Sequence, residues 1–180
     1  VHFNQWLADE GWLSYEDDDH EELGDIADDT EAYSLIPGRF YINLEGREPR
    51  GSVPEAQYEE KRAELKAQLE DLEGPDGRKV CERVVEKEEA FHGDHTDIAP
   101  DLVAIPSHGF DMKAGFKGHD DVFSRGPRNG MHSFDNASLF VDDPGVTVDD
   151  DVDLFDIAPT ILDLMEMDYP DHELEGRSLV

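Results

Sequence analysis

The sequence is short of cysteine, of positive charge and of long apolar runs, and each shortage excludes something. One cysteine, Cys81, among 180 residues rules out an intrachain disulfide. Its apolar neighbours predict a small packed side chain in a strand; a reactive thiol is the competing reading. Only 15 lysines and arginines face 46 acidic residues, a net charge of −31. That balance argues against a nucleic-acid surface, because phosphate backbones are met by Lys and Arg, and against anionic membranes for the same reason. No stretch approaches the roughly 18 apolar residues of a membrane-spanning helix. No secretory signal opens the chain, and a cytoplasmic location is expected. The acidic stretch 15–31 lacks the central glycine and terminal glutamate of an EF-hand, so a solvated loop is expected there rather than a cation site. No internal repeat is present.

What remains is enough for a folded domain. A length of 180 residues with 37% hydrophobic side chains supports a real core. The surplus carboxylates repel one another and oppose compaction at low salt. At about 1 M salt the screening length falls to about 3 Å. The composition therefore predicts a protein of a salt-loving cell. Thermal melting in low and high KCl is the check: the midpoint rises with salt, and a flat response contradicts the reading. The chain opens at Val1 without an initiator Met, already inside a helical pattern, as expected of a cut through a longer protein.

Phe3, Trp6 and Leu7 share one face at helical spacing, with Gly11 placed to end that helix. "AYSLIPGRFYINLEGREPRG" predicts two short strands around Pro37–Gly38. "SVPEAQYEEKRAELKAQLEDLEG" predicts the clearest helix, with Pro54 near its first turn, a stripe of Tyr58, Leu65, Leu69 and Leu72, and Gly74–Pro75 as its stop. "RKVCERVVEKEEAF" starts as a strand and loses its pattern near Lys87. Leu102 to Ile105 and Ala137 to Val141 predict buried strands, and the Gly-rich stretch 111–131 between them is a candidate site loop. The last helix is expected to be capped by Asp156, to carry Pro159 in its first turn, and to present Ile161, Leu162, Leu164 and Met165 as its apolar side. Short apolar strands alternating with amphipathic helices predict an α/β fold.

His132 stands two residues after Gly130 and just before the expected strand 137–141; its position alone favours a surface or strand-end imidazole with a satisfied hydrogen bond, with a metal ligand as the alternative. His92 and His95 in "HGDH" stand three apart on an expected loop, where that spacing has no preferred geometry.

The closing pattern "DLFDIAPTILDLMEMDYPDHELEGRSL" resembles the C-terminal signature of the alkaline phosphatase superfamily. More narrowly it resembles the type I phosphodiesterase/nucleotide pyrophosphatase branch and its archaeal relatives. The positions that carry the likeness are Asp156, Pro159, Thr160, Pro170, Gly176, Arg177 and Leu179, supported by "FYINLEGREPRG", "APDLVAIP" and "GMHSFDNASLFV". The resemblance implies a partial alkaline-phosphatase-like α/β/α domain comprising the C-terminal portion of the sheet with flanking helices. It implies a phosphate ester substrate and a pair of divalent metals, Zn or Mn, held by Asp and His and lying about 4 Å apart across the line of displacement. It matches His132 to the last ligand of one metal. The family's first aspartate, its Thr or Ser nucleophile and its Asp-His-Gly motif have no counterpart here. "SHGF", Ser107 to Phe110, has serine where the aspartate would stand and follows a later family segment, so a loop is expected. Thr160 is expected to be structural rather than nucleophilic. The chain alone is then expected to be inactive, with the remaining ligands in a missing N-terminal portion. A noncatalytic acidic α/β domain that binds a partner is the alternative.

Overall fold

A computed structural model describes residues 1–127, 130, 137–142, 148, 151–170 and 174–180. It divides into two compact units, Val1–His132 and Ser133–Val180. The first is α/β: a four-stranded antiparallel sheet with flanking helices. Among the described residues no helix is long and apolar enough to cross a membrane.

Helix α1, Phe3–Asp9, buries Phe3, Trp6 and Leu7, and Gly11 at φ 83° ends it in the left-handed region where glycine is favoured. Strands β1, Ala32–Ile36, and β2, Arg39–Ile42, form the expected hairpin. Its turn requires glycine twice over: Gly38 has φ 72°, and an added Cβ would lie 2.6 Å from the Ala104 carbonyl oxygen. Helix α2, Tyr58–Asp71, starts one turn later than Pro54, because residues 55–57 form a 3-10 turn first. Leu65 and Leu69 are fully buried. Strand β3, Cys81–Glu86, gives way to the single helical turn α3, Lys87–Ala90, at the position where its pattern fails. Strand β4, Leu102–Pro106, is the last strand in the first unit but not the outermost. It pairs with both β2 and β3, giving the order β1-β2-β4-β3 with every pairing antiparallel. The sheet edge at β1 is closed by a side chain. Asn4 of α1 donates to the Ser34 carbonyl at 2.9 Å and accepts from the Ser34 N–H at 2.8 Å, taking the place of a neighbouring strand.

The core joins α1, the sheet and α2. Phe3 meets Phe40 edge to face with ring centroids 5.0 Å apart, and both rings are fully buried.

In the second unit a 3-10 turn, Leu154–Asp156, leads into helix α4, Ile157–Leu164. Three expectations need correction here. Residues 137–142 form no strand; Phe140 is 88% exposed, because no described strand lies alongside to take its N–H and C=O groups. Ile161, Leu164 and Met165 are exposed, and the buried side of α4 is Pro159 and Thr160. Asp156 does not cap α4. The preceding turn moves that role upstream to Asp153, whose carboxylate accepts from the Phe155 N–H at 3.1 Å. Asp156 instead accepts from the N–H groups of Asp153 at 3.0 Å and Arg177 at 2.8 Å. Those two backbone bonds hold its carboxyl below the usual carboxylate range.

Candidate functional site

Two arrangements in the first unit concentrate charged chemistry. The first is buried. Asp101, fully covered at the start of β4, accepts from both terminal guanidinium nitrogens of Arg47 at 2.7 and 2.6 Å and from the Tyr58 hydroxyl at 2.5 Å. The Ile42 N–H adds a bond at 2.7 Å and the Lys87 ammonium one at 3.3 Å. Burial alone would raise the Asp101 pKa. The Arg47 guanidinium, the Tyr58 hydroxyl and the Ile42 N–H outweigh that and hold it below the usual range. Arg47 is brought there by the turn 44–53, where Gly51 is required because a Cβ would collide with the Leu44 carbonyl. "GREPRG" and "APD" are thus the two halves of one electrostatic pin, with both carboxylate oxygens facing donors. This pin is structural, since it is closed to solvent.

The second arrangement is open. Beyond β4 the chain runs through Ser107–Phe110 as a loop, as expected, with Ser107 donating to the Val80 carbonyl at 2.9 Å. Residues 111–123 are irregular yet tied to α1. Lys113 donates to the Val1 carbonyl at 2.8 Å and accepts from the Phe3 N–H at 3.0 Å, while the His2 N–H reaches the Val122 carbonyl at 2.8 Å. Asn4 also donates to the carbonyls of Ala114 and Gly115. Met112 and Phe116 are buried beneath. Between this strap and the turn at 75–78 lies a cleft of about 830 Å³. Arg78, Lys113, Arg125 and His2 line it, with Asp76, Asp111 and the rings of Phe110 and Phe123. Arg78 is held by Asp76 at 2.8 Å and by the His108 carbonyl at 2.9 Å, with its guanidinium over the Phe110 ring. The His2 ring stacks on His119 with centroids 3.6 Å apart and its Nε2 lies 2.7 Å from the Ser124 hydroxyl. Burial, then the neighbouring groups including Lys113, lowers the pKa of His2 from the ordinary histidine value.

His132, the sequence-predicted metal ligand, lies outside the described residues. His92 and His95 are exposed. Thr160 is spent on structure: its hydroxyl donates to the Asp156 carbonyl at 2.6 Å and accepts from the Leu179 N–H at 3.1 Å. Gly176 passes so close to the Phe155 carbonyl that no side chain fits. Asp156, Thr160, Gly176, Arg177 and Leu179 are therefore one interlocked clasp, which explains why those residue types occur together. Cys81 is 5% exposed in β3, and burial pushes its thiol up to about 12. It is expected to stay unmodified by iodoacetamide at pH 7 in the folded protein and to react once urea unfolds it; rapid native labelling would contradict this.

Sequence reading missed both the Asp101 pin and the cleft. Its cations are scattered along the chain at positions 78, 113 and 125, and the only signal was their rarity.

These features define an α/β domain consistent with part of an alkaline-phosphatase-like fold. Residues 1–135 match type I phosphodiesterase / nucleotide pyrophosphatase, three quarters of the 180-residue chain, and the chain belongs to that family. No curated protein and no solved structure matches it. The family acts on phosphate esters and is typically dependent on divalent metal. Among the described residues no group of three or more His, Cys, Asp or Glu could hold a metal ion.

Proposed function

We propose that this chain is the C-terminal portion of a phosphodiesterase/nucleotide pyrophosphatase-like hydrolase, to which it contributes His132 as one metal ligand. The other ligands, and the Thr or Ser nucleophile, come from polypeptide outside these 180 residues. The observation that carries this reading is the reach of the family match. It continues to residue 135 and so includes Gly130, Met131 and His132. A neutral imidazole suits Zn²⁺ or Mn²⁺, and a pair of such ions offsets the negative charge that makes phosphate diesters resist attack. The first unit supplies a four-stranded sheet and a strap tied to α1, which precedes this histidine in the sequence.

The test has two arms. The 180-residue chain with Zn²⁺ or Mn²⁺ and a nitrophenyl phosphodiester gives no turnover. A longer polypeptide carrying an upstream Asp-His-Gly element hydrolyses it, and His132→Ala lowers kcat/KM there by more than about 100-fold, the upper range for losing a group that merely supports a ligand. Turnover by the short chain that survives His132→Ala would sink the reading. Inactivity of both polypeptides would favour the noncatalytic acidic partner-binding domain.

A further inference from the structure

The cleft beside the strap is an unusual place in so acidic a molecule. Acidic side chains outnumber basic ones 46 to 15, and most described cations are claimed by a carboxylate. Arg47, Arg50, Lys61, Arg62, Lys66, Lys79, Lys87 and Lys117 all have such partners away from the cleft. Arg125 differs. It lines the cleft, is exposed, and has no ion-pair partner among the described residues. Lys113 and Arg78 line the same cleft, each matched by one aspartate: Lys113 by Asp111 at 2.6 Å and Arg78 by Asp76 at 2.8 Å. Three Lys or Arg against two Asp leaves a positive excess of one, in a chain whose overall charge is −31. The Ser124 hydroxyl, bonded to His2, adds a polar group to the same wall, and Phe110 and Phe123 supply apolar surface.

Fixed positive charge in a concave, partly apolar wall concentrates field lines on the space between. A guanidinium with free donors is suited to a phosphate group, which it meets with two parallel N–H bonds. Arg125 also stands seven residues before His132 in the sequence.

We propose that this cleft is an anion subsite, with Arg125 as its principal contact, that takes a phosphate group of the substrate other than the one attacked. The proposal rests on the hydrolase reading for its purpose but not for its test. A subsite of this kind favours esters carrying a second phosphate over simple diesters, and it makes Arg125 a specificity residue rather than a catalytic one.

The test is metal-free binding. Inorganic pyrophosphate is titrated into the 180-residue chain in EDTA, followed by calorimetry and by amide shifts in ¹H–¹⁵N spectra. Saturable binding is expected, with shifts confined to the residues around the cleft, 2, 76–78, 109–113 and 123–126. Arg125→Ala weakens it about tenfold, as expected for losing a charge-assisted pair of bonds, and Arg125→Lys recovers part of the loss. His132→Ala leaves it unchanged. Thermal melting confirms that the exposed Arg125 variants remain folded. Absence of saturable binding overturns the proposal. So does equal binding to Arg125→Ala, or a shift map elsewhere on the surface. Equal affinity for sulfate would mean an adventitious anion site only and would overturn it as well. Failure here leaves the His132 activity result untouched, and failure there leaves this one untouched.

Discussion

Asp101→Ala is expected to cost about 3–5 kcal/mol of folding stability, the range for removing one partner of a buried charge pair. The loss is large because the carboxylate is fully covered and answers four donors: Arg47, Tyr58, Lys87 and the Ile42 N–H. Alanine leaves the Arg47 and Lys87 charges without their shared counter-charge and orphans a backbone donor in β2. Asp101→Asn keeps the volume and one acceptor oxygen but still removes the charge. It separates electrostatics from packing, and its cost should approach that of alanine. Urea unfolding in concentrated KCl, with the surface carboxylates screened, is the measurement. A loss under 1 kcal/mol for both variants would show that the pin contributes little.

The same carboxylate sets a pH dependence. Its folded-state pKa is depressed, so its contribution is fully present above the unfolded carboxylate value of about 4. That contribution is lost as pH falls through the lower, folded value. The gap in stability between wild type and Asp101→Asn should therefore be constant from neutral pH down to about 4 and close below it. A gap that is unchanged well below that point would mean the carboxylate is not the group responsible.

Phe40→Ala is the second large effect, expected at about 3–5 kcal/mol. Phe40 is fully buried in β2, stacked edge to face on Phe3, and its strand is hydrogen-bonded on both sides, to β1 and to β4. Neighbours held by two ladders cannot collapse into the void, so the cavity term adds to the lost transfer energy. Phe40→Leu, which keeps most of the volume, should cost less than half as much. Denaturant midpoints for the pair check this; equal losses would mean the ring's shape rather than its volume is what the core requires.

Local pattern was sufficient for the elements that are amphipathic in themselves. Helix α1 with its terminal Gly11, the β1–β2 turn at Gly38, the buried face of α2 and the apolar run of β4 all follow from spacing and turn chemistry. Strand 137–141 failed for the opposite reason. An apolar run specifies a strand only when another strand accepts its hydrogen bonds, and none lies beside it among the described residues. Its five residues could not reveal that. The closing pattern, which lies beyond the residues 1–135 that match the family, was visible as a set of residue types, yet its logic was not. That Thr160 and Asp156 receive the N–H groups of Leu179 and Arg177 is a fact about chain segments some twenty residues apart.

The sequence by itself determined the charge, the family, the helices and the hairpin, because these depend on composition and on neighbours within a few positions. Tertiary structure alone decided that β4 lies between β2 and β3, that Arg47 and Lys87 converge on Asp101, and that cations from positions 78, 113 and 125 share one cleft. The physical reason is the same in each case. Electrostatic and hydrogen-bond energies depend on distances across space, and closing those distances over dozens of residues is the work of the packed core.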